Sequence, residues 1–497
     1  MTGEQKSLVL VTVDCLRADH TGFMGYARPT TPFLDSLAAE SFVFPRAIST
    51  GAPTYYSLPG IMASRFPLAL GREVTGIAPG EQTMATVLRE AGYRTGAFVA
   101  ANPYLSARFG YEQGFEVFED FLGNNERFSK ADEAPPVRRT RTRLNEQIAK
   151  VMHTGGRLGR WYDDLYFEYC QRVAARGSVS WESLRRFPAA DVLVMQACEW
   201  LASVGDQSFF LWLHFMDPHA PYYPSADALK AMGADIAPAH GRYVNAFWNR
   251  SDLSAERRRR YRDDVVLLHD AGIRWVDTQI GRLVECLQNS RQWESSVLAL
   301  TADHGEEFLD HGGCFHAPSH GYQELLRVPL MVRVPGGEKR PLSKSPFSQI
   351  HLMPTVLEAM GVEPPSECEG RSYWKEVQAG GEWGPAISES VGGCTNPMMA
   401  EKRLHGRVLV VQDQRYKLIV DFDHAEELLF DLDSDPAELR PLAPGTETAA
   451  RARLLRTALQ HLSRSSCGSK ELAVRARVHE LRLEWSHSKM HSAAPAS

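Results

Sequence analysis

Asp303 and His304 stand side by side in Thr-Ala-Asp-His-Gly-Glu, residues 301–306, directly after the apolar run Ser296-Val297-Leu298-Ala299-Leu300. A carboxylate and an imidazole delivered together suit Zn, Mn, Mg or Ca. Alone, the pair reads equally as a strand-end turn in which Asp303 caps a helix and His304 faces solvent. Asp14 closes a second apolar, β-branched run, Leu8-Val9-Leu10-Val11-Thr12-Val13. It is the natural partner of Asp303 and His304 if the two runs lie together, and otherwise a cap for the following turn. The third element is Ser49-Thr50-Gly51-Ala52-Pro53-Thr54-Tyr55-Tyr56-Ser57. A Gly/Pro-rich loop entering an apolar helical stretch sets backbone amides at a helix start, where anions are favoured. Thr54 and Ser57 are the hydroxyls there. Either could be ionised by a metal and attack phosphorus or sulfur, or simply cap the helix.

The elements that must position these groups follow from the pattern around them. Unbroken apolar runs mark strands buried on both faces, as in parallel sheets. Open α/β sheets bind ligands at the carboxyl ends of such strands. Phe209–Phe215 and Thr95–Ala100 read as further strands. Residues 189–202 read as a helix, and 257–283 as a long helix carrying Tyr261, His269 and Asp277. The pattern breaks over about 121–190, where a basic run, 135–143, precedes a helical stretch rich in aromatics. That insertion is a candidate lid over an anionic substrate, an oligomer contact or a solvated loop. A boundary follows Val334-Pro335-Gly336-Gly337. The expected division is therefore a catalytic α/β domain, 1–336, a smaller α+β subdomain, 337–445, and a helical tail, 446–497, with a disordered end. Leu454, Leu455, Leu459 and Leu462 show helical spacing in that tail, the second candidate for a homo-oligomer contact.

Composition narrows the class. Apolar residues make up 43% of the 497, enough for a substantial core. A net charge of −6 gives no pull toward nucleic acid. Eight scattered cysteines lack paired spacing, which fits reduced thiols in a cytoplasm. The first residues run straight into strand one, and no window approaches the ~20 apolar residues of a membrane span. The expectation is a cytoplasmic enzyme of a small anionic ester, without nucleic-acid or membrane partners.

Asp14, the Thr54–Ser57 helix start and Asp303-His304-Gly305-Glu306, in that order, resemble the sulfatase branch of the alkaline phosphatase superfamily. Met216-Asp217-Pro218-His219-Ala220-Pro221-Tyr222 is similar to that family's mid-chain His-x-Pro-Tyr segment. Leu325–Val332 is similar to its strand after the metal motif. Pro354-Thr355-Val356-Leu357 and Leu429-Phe430-Asp431-Leu432 resemble its C-terminal part. The resemblance spans roughly residues 7–443. It implies an α/β/α sandwich with a large mixed sheet, followed by the smaller α+β subdomain. Two departures stand out. Sulfatases make formylglycine from Cys or Ser within Cys/Ser-x-Pro/Ala-x-Arg, whereas this chain has Thr54-Tyr55-Tyr56-Ser57-Leu58, so no formylglycine is expected. Where sulfatases carry a second Asp after the first strand, Cys15 stands here.

The resemblance also implies roles. Asp14, Thr54, Asp303 and His304 would hold one divalent ion. This mixed N/O set fits Mn or Zn best and admits Mg or Ca. Thr54 would be the nucleophile, through a covalent intermediate. His219 and His316 would bind the ester oxygens or protonate the leaving group, with Ser57 and His320 as further substrate contacts. Asp310 and His311 would brace the metal loop, and Arg17 would join them or pair with Asp19. A phospho-Thr is opened by in-line water more readily than a sulfo-Thr, which favours phosphate or phosphonate esters. The alternatives are a sulfate ester hydrolase, a phosphoryl or sulfuryl transferase acting on a small molecule, and a non-catalytic metal-binding homologue.

Overall fold

Seven strands rich in β-branched and aromatic residues pair into one sheet: Ser7–Val13 (β1), Phe42–Val43 (β2), Arg94–Val99 (β3), Val117–Glu119 (β4), Phe209–Phe215 (β5), Ser296–Ala302 (β6) and Leu330–Arg333 (β7). The computed structural model describes residues 5–72, 75–123, 180–250, 253–337 and 341–464. The strand order is β2-β7-β6-β1-β5-β3-β4. Every pairing is parallel except those of β7, so the sheet is mixed, as expected. Every residue of β1, β5 and β6 is buried, which is why those runs are mostly apolar. Register aligns Val13 with Phe215 on one side and with Ala302 on the other. The three central strands therefore end level, and the chain leaves the sheet at Asp14, Met216 and Asp303 on one edge.

Helices Thr54–Ala63 (α1) and Leu352–Met360 (α4) belong to one covering layer, and Ala190–Val204 (α2) and Arg262–Asn289 (α3) to the other. The buried face of α3 carries three polar side chains that hold the loop after β1. His269 Nε2 lies 3.0 Å from Cys15 O. Asp270 binds His20 at 2.7 Å and accepts from Tyr26 and Arg28 at 2.7 and 2.8 Å. Asp277 accepts from the amides of Phe33 and Leu34. Buried polar groups are costly unless paired in this way, so the helix and the loop specify each other.

Leu325–Val332, read as one strand, is three pieces. Gln323–Leu326 is a helical turn, Arg327–Val328 pairs with Ala47–Ile48, and β7 begins after Pro329. Proline has no N–H to continue a ladder, so the pairing changes there. Phe347, Leu352, Val356, Tyr373 and Trp383 join the core of the large sheet, which thus extends past residue 336.

Ala386–Val391 (β8), Arg407–Gln412 (β9), Tyr416–Asp421 (β10) and Glu426–Asp431 (β11) form a separate antiparallel sheet. Thr448–Arg464 (α5) packs on it through Ala450, Leu454, Ala458 and Leu462. The small sheet reaches the loop before α1. Ser388 Oγ donates to Ser49 O, and the Glu389 amide donates to Thr50 O at 2.8 Å. The basic run 135–143, the aromatic stretch after it and the tail beyond residue 464 lie outside the described residues.

Candidate active site

The ends of β1 and β6 and the start of α1 bring Asp14, Asp303, His304 and Thr54 to the same buried point. Thr54 is the first residue of α1. Its Oγ1 lies 3.3 Å from Asp14 Oδ2 and 3.4 Å from His304 Nε2. His304 Nε2 lies 3.7 Å from Asp14 Oδ1 and 3.5 Å from Asp303 Oδ2. All four residues are buried. The turn that carries Asp303 and His304 is pressed against Glu324–Leu325. A Cβ on Gly305 would meet Glu324 O at 1.9 Å, so only glycine fits there. Ser49 Oγ donates to Asp303 O at 2.6 Å and ties this turn to the loop before α1.

Cys15 follows Asp14 with φ of 60°, a left-handed conformation that aims its amide at Asp303 Oδ1, 3.3 Å away. Its thiol donates to Asp14 Oδ1 at 3.1 Å. Burial, with the charges of Glu306, Asp14 and Asp303, holds that thiol well above its ordinary pKa. Cys15 thus acts as a donor that fixes both carboxylates.

The electrostatics suit a cation. Burial works against the Asp14 charge, yet His219, His214 and His304 hold its carboxyl well below the usual range. Burial and the Asp14 charge push Asp303 up to about 8. Asp303 Oδ2 is buried without a hydrogen-bond partner. A divalent cation between the two carboxylates would satisfy that oxygen and let both groups ionise. Ligands at about 2.0–2.2 Å from one ion stand about 3–3.7 Å apart, which is the range of the Thr54–Asp14, Thr54–His304, His304–Asp14 and His304–Asp303 distances. Burial and neighbouring His316 take His304 down to about 4, so its imidazole is neutral. His304 Nδ1 donates to Gly305 O at 2.7 Å, which leaves the Nε2 lone pair facing the carboxylates.

His219 and His316 stand at the mouth, partly exposed, with rings 5.2 Å apart. His219 Nδ1 donates to Ala220 O, so its Nε2 is an acceptor when the ring is neutral. His316 Nδ1 lies 3.2 Å from Glu306 Oε1, and Glu306 Oε2 accepts from Tyr222 at 3.1 Å. Burial would lower His316, but the Glu306 charge and hydrogen bond outweigh it and push the ring up to about 8.

Other candidates point elsewhere. Ser57 donates to Thr54 O at 3.0 Å inside the helix, so its hydroxyl serves the backbone. His320 is engaged by Glu307 at 2.6 Å. His311 stacks on Tyr322 with ring centroids 3.6 Å apart and binds Glu324. Arg17 bridges Asp19 and Asp310 and donates to Glu306 O at 3.0 Å. These contacts brace the loop after Glu306. Sequence reasoning passed over Asn102, whose amide donates to Asp14 Oδ2 at 3.1 Å, and the pair Glu306 and Tyr222. It also passed over His214, buried in β5 with Nε2 3.6 Å from Asp14 Oδ2. The available signals were Asn102 just past the end of β3 and one histidine in the otherwise apolar run Phe-Phe-Leu-Trp-Leu-His-Phe.

Comparison with known proteins finds relatives along most of the chain. The "Sulfatase" family model matches residues 6–362, and a model for the C-terminal part of N-sulphoglucosamine sulphohydrolase matches residues 313–465. The multifunctional alkaline phosphatase superfamily protein PehA of Trinickia caryophylli is 23% identical over 90% of this chain and 93% of its own length. An arylsulfatase of Hemicentrotus pulcherrimus is 24% identical over 88% of this chain and 78% of its own. The phosphonate monoester hydrolase SpPMH of Silicibacter pomeroyi shares the fold with a TM-score of 0.65 at 21% identity, covering 94% of this chain and 96% of that one. The family match spans more than two thirds of the chain, and the fold accords with it over nearly its whole length: the chain belongs to the sulfatase family, among the hydrolases of the alkaline phosphatase superfamily.

Proposed function

We propose that this chain hydrolyses a phosphate or phosphonate ester by attack of Thr54, with one divalent cation held by Asp14, Thr54, Asp303 and His304. The observation that carries the reading is the Thr54 hydroxyl, buried at a helix start within 3.3 Å of Asp14 and 3.4 Å of His304. The cation, with Mn or Zn favoured by the mixed N/O donors, would lower the pKa of that hydroxyl and neutralise charge on the ester oxygens. Thr54 Oγ1 forms a bond to phosphorus as the bond to the leaving oxygen breaks. His316, charged near neutral pH through Glu306, gives its proton to that oxygen. His219 and the first amides of α1 bind the remaining oxygens. Water then attacks phosphorus, the bond to Thr54 Oγ1 breaks, and the proton taken from water returns the acid to its starting state.

A sulfate ester is the second reading, supported by the sulfatase match and the arylsulfatase relative. A panel of aryl phosphodiester, phosphonate monoester, phosphomonoester and sulfate ester, run with Mn and with Zn, separates the two. Turnover of phosphorus esters well above sulfate is expected, with Thr54→Ala lowering kcat by about 10³-fold or more. Preference for sulfate would overturn the substrate class. Activity unchanged in Thr54→Ala would overturn the nucleophile.

A further inference from the structure

His214 occupies the penultimate position of β5, level with Thr12 of β1 and Val99 of β3. Its neighbours along the strand are Leu213 and Phe215, and the strand is buried throughout. Nothing in the packing of such a strand asks for an imidazole. The ring is nevertheless held in one orientation. Nδ1 lies 2.9 Å from Thr12 Oγ1, which also accepts from Trp212 Nε1 at 2.9 Å. That leaves Nε2 facing Asp14 Oδ2 at 3.6 Å, with no hydrogen-bond partner of its own. Asp303 Oδ2 is likewise without a partner. Ligating atoms of Asp14, His214 and Asp303 all lie within 4.8 Å of one another, and all three residues are buried.

Two unpartnered polar atoms buried beside one another are expensive in isolation and are resolved by a shared ligand. A nitrogen whose ring is fixed by a hydrogen bond at the opposite nitrogen is the usual state of a metal-binding histidine. We infer that His214 Nε2 is a ligand of the cation shared with Asp14 and Asp303. The donor set then holds two imidazoles, His214 and His304, with the carboxylates and Thr54. Calcium sites are built from oxygens alone, whereas imidazoles select zinc and other transition ions. β5 therefore sets the metal preference. This inference rests on the metal-dependent reading above, and the test keeps the two apart.

Two measurements decide it. The first is X-ray absorption at the zinc edge of the zinc-loaded wild-type protein, which counts imidazole ligands without any variant. Two imidazoles are expected; a single one would overturn the inference. The second is calorimetric titration of apo protein with Zn2+, and with Ca2+, for wild type, His214→Asn and Asp303→Asn. Asparagine keeps a nitrogen near Thr12 and removes Nε2; folding is checked by circular dichroism, and the imidazole count on the wild type decides alone if the variant does not fold. His214→Asn should weaken Zn2+ binding by about 10–100-fold and narrow the preference for Zn2+ over Ca2+. Wild-type affinity in His214→Asn, with binding lost in Asp303→Asn, would overturn the inference and leave the metal reading standing. Wild-type affinity in both would remove the metal reading itself.

Discussion

A threonine hydroxyl is a weak nucleophile at neutral pH, and the groups around Thr54 decide what it can do. Asp14 and His304 lie within 3.4 Å, and α1 begins at its own backbone. The proposed acid for the leaving group, His316, is set the same way, one contact at a time. Glu306 raises His316 to about 8, and Tyr222 holds Glu306 in place. Protonated His316 is present below that pH and lost above it, so kcat/KM should fall as pH rises through about 8. Glu306→Gln removes the charge that lifts the ring, and the alkaline limb of the pH–rate profile should then move toward acid. A limb that stays in place would show that His316 is not the acid. At this scale Asp14, Thr54, Asp303 and His304 were legible because each stands at the end of a strong local pattern. His214 was not, since a lone histidine in an apolar strand looks like core. Its meaning depends on β1 being the neighbour, which a parallel crossover decides far along the chain.

The elements act as rulers for these side chains. β1, β5 and β6 end level, so three consecutive strands present their following residues at one edge. Long unbroken runs made these strands readable, Phe209–Phe215 to the residue. Leu325–Val332 was not, because a run of apolar residues does not reveal which partner each half will find. The small sheet holds the loop before α1 through Ser388 and Glu389. Glu389 is buried with Arg407 at 3.1 Å and His461 of α5 at 3.0 Å, and it also accepts from the Leu68 amide. Burial alone would raise its pKa, but Arg407 and His461 reverse that and bring it from 4.5 to about 2. Its contribution is therefore present above pH 4.5 and lost as pH falls toward 2. Glu389→Gln should cost about 3 kcal/mol of stability at neutral pH. Urea unfolding at pH 7 and at pH 3 checks this, with a smaller difference between variant and wild type at pH 3. An equal difference at both values would contradict the assignment.

As a whole, the molecule is a large mixed sheet with covering helices and a small antiparallel sheet that carries α5, an arrangement read in outline from the motif order. The core nevertheless runs on to Trp383, because Phe347 and α4 pack against the large sheet rather than the small one. Turn residues at 334–337 mark a change of direction and carry no information about which sheet the next helix covers. Among the described residues no helix is long and apolar enough to cross a membrane. The site lies where the level strand ends meet the loop before α1, and the small sheet holds that loop through Ser388 and Glu389. The most direct measurement is to quench the metal-loaded protein during turnover of an aryl phosphonate monoester and map the covalent adduct by mass spectrometry. A phosphonyl group on Thr54 is expected in the wild type and none in Thr54→Ala. Steady turnover with an adduct on another residue, or with full activity in Thr54→Ala, would contradict it.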